Sequence, residues 1–307
     1  MTDSQRREVV LEPTRCAICG TEGGADVLYA PTFEPDAFNE RIFSARRLPD
    51  RIHYRMVRCR RCGLVRSDPA AAQASLAELY EASSFDYAAE VANLRRTYGR
   101  YLARAMRRAR GESLLEIGCG NGFMLEEALA QGYREVYGVE PSHDAIAAAA
   151  PAVRDHIKAD VMRPGLFPDA TFDTACMFQV FDHVPDPGAL LDACHAVLTL
   201  GGILLLFHHN ADALSARLLG ERSPIVDIEH CYLFGPQTMK RLLERHQFHV
   251  LEVGAATNTL SIAHLIHLLP VPAGAKSLAA RLAGVGSADR LRLRLPLGNL
   301  YAIAAAR

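Results

Sequence analysis

Three groups of residues in this 307-residue chain have types and spacings that suit chemistry. The first is Leu114-Leu115-Glu116-Ile117-Gly118-Cys119-Gly120-Asn121-Gly122, an apolar strand ending in a glycine-rich turn. Gly118, Gly120 and Gly122 can adopt positive φ and let a ligand approach the backbone. Glu116 is a carboxylate in an otherwise apolar strand, costly unless a cationic or hydroxylic group meets it. A second strand, Glu135 to Val139, ends in Glu140, a carboxylate suited to a ribose diol. The second group is two Cys-x-x-Cys-Gly knuckles, Cys16/Cys19 and Cys59/Cys62. Two knuckles make a closed tetrahedral four-thiolate site, the usual structural arrangement for zinc. The stretch between them is longer than the usual ribbon spacing and reads as a strand-and-loop insertion, Tyr29 to Tyr54. The third group is histidine-rich: Asp182-His183, His208-His209-Asn210 and Glu229-His230. Imidazole titrates near neutral pH, so these are the candidate proton acceptors.

Positioning these groups requires alternating strands and helices. The predicted order is strand Ser113–Ile117, helix Phe123–Gln131, a strand ending at Glu140, and helix Asp144–Ala150 closed by Pro151. A short strand before Asp160, strand Thr174–Val180, helix Gly188–Leu198 and strand Ile203–Phe207 follow. Helix Pro236–His246, strand Phe248–Gly254 and an antiparallel last strand Tyr301–Ala305 complete it. Ahead of this domain, residues 70–110 read as helices Ala71–Tyr80 and Tyr87–Arg110. Arg96, Arg100, Arg104 and Arg107 recur there at helical spacing, a solvated face or a phosphate-binding stripe. Leu260 to Arg294 is apolar and irregular, core packing or a substrate lid.

Gly118-x-Gly120-x-Gly122 is not the G-x-G-x-x-G of dinucleotide sites, because its third glycine comes one residue early. Taken with Glu140, Asp160-Val161 and the Phe172–Val180 strand, it resembles class I S-adenosylmethionine-dependent methyltransferases from Leu114 onward. That resemblance implies a doubly wound, Rossmann-like α/β fold with a seven-stranded sheet. It implies contacts to the cofactor's amino-acid end from Glu116 and the Gly118, Cys119, Gly120, Asn121, Gly122 turn. Glu140 would hold the ribose, Pro141, Asp160 and Val161 the adenine, and Phe178-Gln179 the methionine portion. The cysteine-knuckle module, ending in Cys62-Gly63-Leu64-Val65 and Pro69, resembles the zinc-binding domain ahead of many bacterial methyltransferases of sugars and small metabolites. Glu229-His230 is similar to the Glu-His pair of sugar C-methyltransferases, which implies proton transfer there. Tyr80 and Tyr87 are the nearest equivalents of those enzymes' tyrosine-rich segment. His183 corresponds to the Glu-His pair that follows the fourth strand, with Asp182 in place of Glu.

The expectation is therefore a zinc module (1–69), a helical connector (70–110) and a methyltransferase domain (111–307) acting on a small-molecule acceptor by O- or C-methylation. S-adenosylmethionine and a structural Zn2+ are the implied cofactors. His230, Glu229 and His183 are the expected catalytic residues. Net charge of −1 gives no general field for nucleic acid or anionic lipid. Residues 1–110 nevertheless hold 19 arginines, no lysine and 14 acids, which suits an RNA methyltransferase as the alternative. A non-catalytic scaffold that binds the cofactor is the other alternative. No apolar run spans a bilayer and the first residues lack a signal-peptide core, so the expected location is cytoplasmic. Cys119, Cys176, Cys194 and Cys231 have no ligand spacing and read as buried.

Overall fold

A computed structural model describes residues 10–32, 51–72, 91–261 and 292–307. Its centre is a seven-stranded sheet of β6 (Ser113–Ile117), β7 (Glu135–Val139), β8 (Ile157–Lys158), β9 (Phe172–Phe178), β10 (Leu198–His209), β12 (Phe248–Ser261) and β13 (Arg292–Ala306). The spatial order is β12-β13-β10-β9-β6-β7-β8. Strands β6 to β10 run parallel, and β13 lies antiparallel between β10 and β12. The chain order reverses between β6 and β9. Open α/β sheets bind ligands beyond the carboxyl ends of the strands at such a reversal.

Apolar side chains cover both sheet faces. On one, α1 (Val91–Met106) and α2 (Phe123–Gln131) pack Tyr98, Leu102, Met124 and Leu125 against Leu114, Cys176, Leu205 and Ile303. On the other, α5 (Pro187–Val197) and α7 (Pro236–Arg245) bring Leu191, Cys194, Leu242 and Leu243 onto Leu115, Ala175, Leu204 and Ala304. A short α6 (Leu214–Leu219) follows β10. Both α5 and α7 open on proline at the first turn, where the missing N–H has no intrahelical partner to lose. The Asp186 carboxylate accepts the Ala189 N–H at 2.9 Å and fixes the start of α5.

Some elements differ from expectation for local reasons. Pro151 begins a helix rather than ending one: after α3 (His143–Ala147), α4 (Pro151–Arg154) starts on it. Strand β9 stops at Phe178 because Gln179 takes φ 58°. Strand β10 runs on past Ile203–Phe207 in both directions, with a register shift between Leu198 and Ile203. The last two strands form a long antiparallel pair reaching Ser261 and Arg292, so Leu260–Ser261 and Arg292–Arg294 are strand. The rest of that apolar segment lies outside the described residues, as do Tyr80, Tyr87 and residues 73–80 of the expected first helix.

Part of the arginine stripe docks α1. Arg100 donates to the Thr257 carbonyl at 2.7 Å, and Arg104 and Arg108 pair with Glu252 of β12. Two of the four stripe guanidinium groups are therefore engaged with β12, while Arg96 donates to the Ala92 carbonyl of its own helix.

The N-terminal region contributes β2 (Ala25–Tyr29), β3 (Met56–Cys59) and β4 (Val65–Ser67), and a distant segment supplies β11 (Tyr232–Leu233). Together they form a four-stranded antiparallel sheet in the order β11-β4-β3-β2. The edge of the N-terminal sheet is thus closed by the segment that carries Glu229 and His230. A separate pair joins β1 (Leu11–Glu12) to β5 (Ala70–Ala71), so Ala71 is strand, not the start of a helix.

Candidate functional site

The glycine turn joins β6 to α2. Gly118 takes φ 69°, and a Cβ there would stand 2.4 Å from Val180 Cγ2, so a larger residue meets both backbone strain and a clash. Gly120 takes φ 55° and donates its N–H to Glu140 Oε2 at 2.8 Å. The other Glu140 oxygen accepts the Ser142 N–H at 2.9 Å, while the Ser142 hydroxyl caps α3. The carboxylate beyond β7 is therefore locked against the turn beyond β6. Burial raises Glu140 above the ordinary carboxylate range, opposed by those two N–H groups.

Glu116 lies beneath this turn, 3% exposed, and its Oε2 meets no donor. Burial, reinforced by the Glu140 carboxylate, pushes Glu116 well above the usual range. Asn121 Oδ1 and Gln179 Oε1 are likewise buried acceptors with no donor. Three such acceptors around one sheet reversal fit a ligand that brings hydroxyl or ammonium donors. Pro141 borders the same edge. Asp160 lies farther out, partly exposed, accepting the Val161 N–H at 2.8 Å and pairing with Arg163 at 2.8 Å. That hydrogen bond to Arg163 holds its carboxyl below the usual range. Val161 is solvent-exposed beside it.

Two expected cofactor residues point elsewhere. The Phe178 ring stacks on Tyr98 with centroids 4.7 Å apart. Strand alternation sends it under α1 and leaves Gln179 at the edge. The Cys119 thiol is buried against Gly138, whose missing side chain gives it room, so Cys119 offers a ligand only its backbone.

At the carboxyl ends of β9 and β10 stands a second centre. Asp182, in the 3-10 turn Phe181–His183, is wholly buried. His209 Nδ1–H donates to Asp182 Oδ2 at 2.7 Å, which leaves Nε2 as the lone-pair nitrogen. The His230 and His183 Nε2 atoms each stand 3.8 Å from a different oxygen of Asp182. The ring centroids of His183 and His209 lie 4.8 and 4.6 Å from that of His230. Burial alone would raise the Asp182 carboxyl, but His209, His183 and His230 hold it well below the usual range. His230 is pushed well below the ordinary imidazole value by burial and by His209, and His183 is lowered by burial.

The histidines differ in what they can reach. His230 Nδ1 bonds the Ile225 carbonyl at 2.9 Å, and the residue is 4% exposed. His208 is fully buried between Phe181 and Phe234, which removes it as a base for an incoming acceptor. Glu229 sits in the turn after Asp227, its N–H donating to Asp227 Oδ1 at 3.1 Å. His209, with a quarter of its side chain exposed, is hydrogen-bonded to Asp182 and meets solvent; His183 is a fifth exposed but stands 3.8 Å from the carboxylate. The sequence shows Asp182 and His209 as separate motifs. Asp182 follows β9 and His209 ends β10, two adjacent parallel strands, which is the signal that they meet.

The cysteines form a third cluster. The four sulfur atoms lie within 4.8 Å of one another, Cys16 to Cys62 at 3.3 Å and Cys19 to Cys59 at 3.6 Å. Tetrahedral Zn–S bonds of about 2.3 Å would set the sulfurs about 3.8 Å apart. Gly20 and Gly63, at φ 69° and 80°, close the knuckles by donating to the Cys16 and Cys59 carbonyls. Burial raises the Cys16 and Cys62 thiols; at Cys19 burial is outweighed by hydrogen bonds from Thr21, which bring it down to about 6. The cluster is pinned to the second centre. Ser67 donates its N–H to the Cys231 carbonyl and its hydroxyl to the His230 carbonyl, each at 2.9 Å. The Tyr232 hydroxyl donates to the Arg15 carbonyl at 2.9 Å.

Among the described residues no helix is long and apolar enough to cross a membrane. A ubiquinone biosynthesis O-methyltransferase of Bradyrhizobium sp. (strain ORS 278) is 37% identical over 100 residues, covering 31% of this chain and 39% of that protein. Its counterpart in Psychrobacter arcticus is 31% identical over 104 residues, covering 31% and 40%. These matches span about two fifths of the curated relatives. A SAM-dependent methyltransferase structure from Archaeoglobus fulgidus is 20% identical with a TM-score of 0.48, covering 72% of this chain and 100% of that one. A family model described as a methyltransferase domain matches residues 91–253, more than half of the chain, from α1 through the β6 turn, the Asp182 centre and into β12. The chain therefore belongs to the methyltransferase-domain family, the class I S-adenosylmethionine-dependent methyltransferases.

Proposed function

We propose that this protein methylates a hydroxyl of a small molecule, a sugar, polysaccharide precursor or secondary metabolite, using the Asp182–His209 pair to take the acceptor's proton. The observation that carries the reading is this pair at the carboxyl ends of β9 and β10, beside the three donor-seeking acceptors Glu116, Asn121 and Gln179. Those acceptors fit S-adenosylmethionine, whose ammonium and ribose hydroxyls are donors. The cofactor supplies a methyl carbon already activated by its sulfonium, so the protein must position and deprotonate the nucleophile. Glu116 and the Gly118–Gly122 turn would hold the amino-acid end, and Glu140 the ribose. Pro141, Asp160 and Val161 would flank the adenine, and Gln179 the methionine portion. Asp182 keeps a proton on His209 Nδ1, so Nε2 would accept the hydroxyl proton as the oxygen takes the methyl group, the methyl–sulfur bond breaks and S-adenosylhomocysteine leaves. His230, Glu229 and His183 would line the pocket beside His209. The naming of the relatives as O-methyltransferases favours oxygen over carbon.

We also propose that Cys16, Cys19, Cys59 and Cys62 hold a structural Zn2+. With four protein ligands the ion has no open position. It would fix the sheet that β11 completes, and with it the backbone of His230.

The test is transfer of labelled methyl from S-adenosylmethionine into fractionated host extract. Label in a small soluble product is the expected result. Label in RNA, or in nothing while the cofactor binds, would overturn the reading.

A further inference from the structure

We propose that Asp182, His183 and His230 form a second metal site, for a divalent transition-metal ion, distinct from the four-cysteine cluster. One ligating atom from each of the three lies within 4.8 Å of the others. His230 donates its Nδ1 proton to the Ile225 carbonyl, so the Nε2 facing Asp182 Oδ2 carries a lone pair. Two electron-rich atoms 3.8 Å apart in a buried place require a cation between them or a proton. A carbonyl behind a histidine is also the arrangement that orients metal-bound imidazoles. Independently, Asp182 Oδ1 is buried without a hydrogen-bond donor, and His183 Nε2 stands 3.8 Å from it. Ion–nitrogen bonds are about 2.0–2.1 Å long, so the two rings would draw in toward the carboxylate to close around one ion.

Two imidazoles and one carboxylate, without thiolate, suit Zn2+, Fe2+, Mn2+ or Co2+ and leave coordination positions open. His209, bonded to the same Asp182 Oδ2 that His230 faces, stays a base beside the ion. The open positions would take the acceptor's oxygen, which lowers the hydroxyl's pKa before His209 removes its proton. This last role rests on the proposed methyl transfer to oxygen; the metal site itself does not. The site draws its ligands from the end of β9 and from the segment that β11 ties to the cysteine-rich sheet.

The experiment is metal analysis and Co2+ titration of the full-length, tag-free protein after chelation and dialysis. Wild type is expected to take up about two equivalents per chain, one with a thiolate-to-cobalt charge-transfer band and one with ligand-field bands alone. Asp182→Asn and His230→Gln should each fall to about one equivalent and keep the thiolate band. Because either variant could unfold, melting and S-adenosylhomocysteine binding are read on the same samples. Should a variant be misfolded, the wild-type cobalt spectrum decides alone. A wild type with a single, thiolate-bound equivalent, or folded variants that keep both, would overturn the proposal. Metal uptake without methyl transfer to any hydroxyl would remove the proposed function and leave this site standing.

Discussion

The proposed cofactor side and the proposed acceptor side of the sheet edge are built in opposite ways. The cofactor side is built mainly from two nearby stretches, Glu116 to Gly122 and Glu140 to Ser142, which lie on consecutive strand–helix units locked by the Gly120–Glu140 hydrogen bond; Asp160, Val161 and Gln179 join from farther along. The acceptor side gathers Asp182, His209 and His230 from three separate segments. One of these is held in place by a different sheet, through β11 and Ser67. The lesson is that one half can be carried by local sequence, while the other is tied through β11 and Ser67 to a separate sheet whose side chains stand outside the proposed reaction.

This contrast can be broken most forcefully at the cysteines. Cys16→Ser with Cys59→Ser should abolish the proposed zinc site, free β4 and with it His230. Methyl transfer should fall by about 100-fold or more, because metal binding in such modules is folding free energy. S-adenosylhomocysteine affinity, by calorimetry, should stay near wild type. Parallel loss of both would show that the two halves are one folding unit.

Cofactor-side substitutions should give the reverse pattern. Glu140→Ala removes the acceptor of two backbone N–H groups and the proposed ribose contact. At about 1–3 kcal/mol for a buried unsatisfied group, cofactor affinity should drop roughly 10- to 100-fold. Fluorescence or calorimetric titration reads this directly. Gly118→Val should be at least as damaging, through φ 69° and Val180.

Protons sharpen the comparison further. Glu116 and Glu140 are raised, so the folded protein without cofactor binds more protons than the unfolded chain. Its stability should therefore fall as pH rises above the ordinary carboxylate range and through the raised values. The proposed ammonium partner favours ionised Glu116, so binding should release a proton and tighten with rising pH, by up to about tenfold per unit. Melting curves with and without cofactor between pH 5 and 9, as an approximate window, should show a growing cofactor-induced shift. A flat response would mean that Glu116 keeps its proton in the complex.

The smallest effect is expected at the helix stripe. Arg100→Ala should cost about 1 kcal/mol of stability by losing the Thr257 carbonyl contact, and Arg104→Ala less. Neither should change the Michaelis constant of a phosphorylated acceptor. A selective rise in that constant would restore the phosphate-binding reading.

The sequence disclosed the two halves unequally for the same reason. Strand–turn–helix units at the glycine turn and at Glu140 obey short-range rules, so β6, α2 and β7 lie where the pattern puts them. The same rules put Phe178 beside Gln179, but only the strand's alternation against α1 decides which side chain meets Tyr98. The knuckles were legible from spacing. Strand β11 was not, because a two-residue strand has no periodicity and its partner lies far away in the chain. His209 was visible at the mouth of β10, but its bond to Asp182 needs the parallel register of β9 and β10. Pro151 shows a local rule with two outcomes, since proline ends one helix and begins the next equally well.

The most direct test pairs two measurements on Asp182→Asn and His209→Ala: cofactor affinity by calorimetry, and turnover with the acceptor recovered from labelled extract. Separable halves predict affinity within about twofold of wild type and turnover lower by about 100-fold or more, the range for a lost general base. Unchanged turnover, or affinity falling in step with it, would contradict a proton-accepting centre at Asp182–His209.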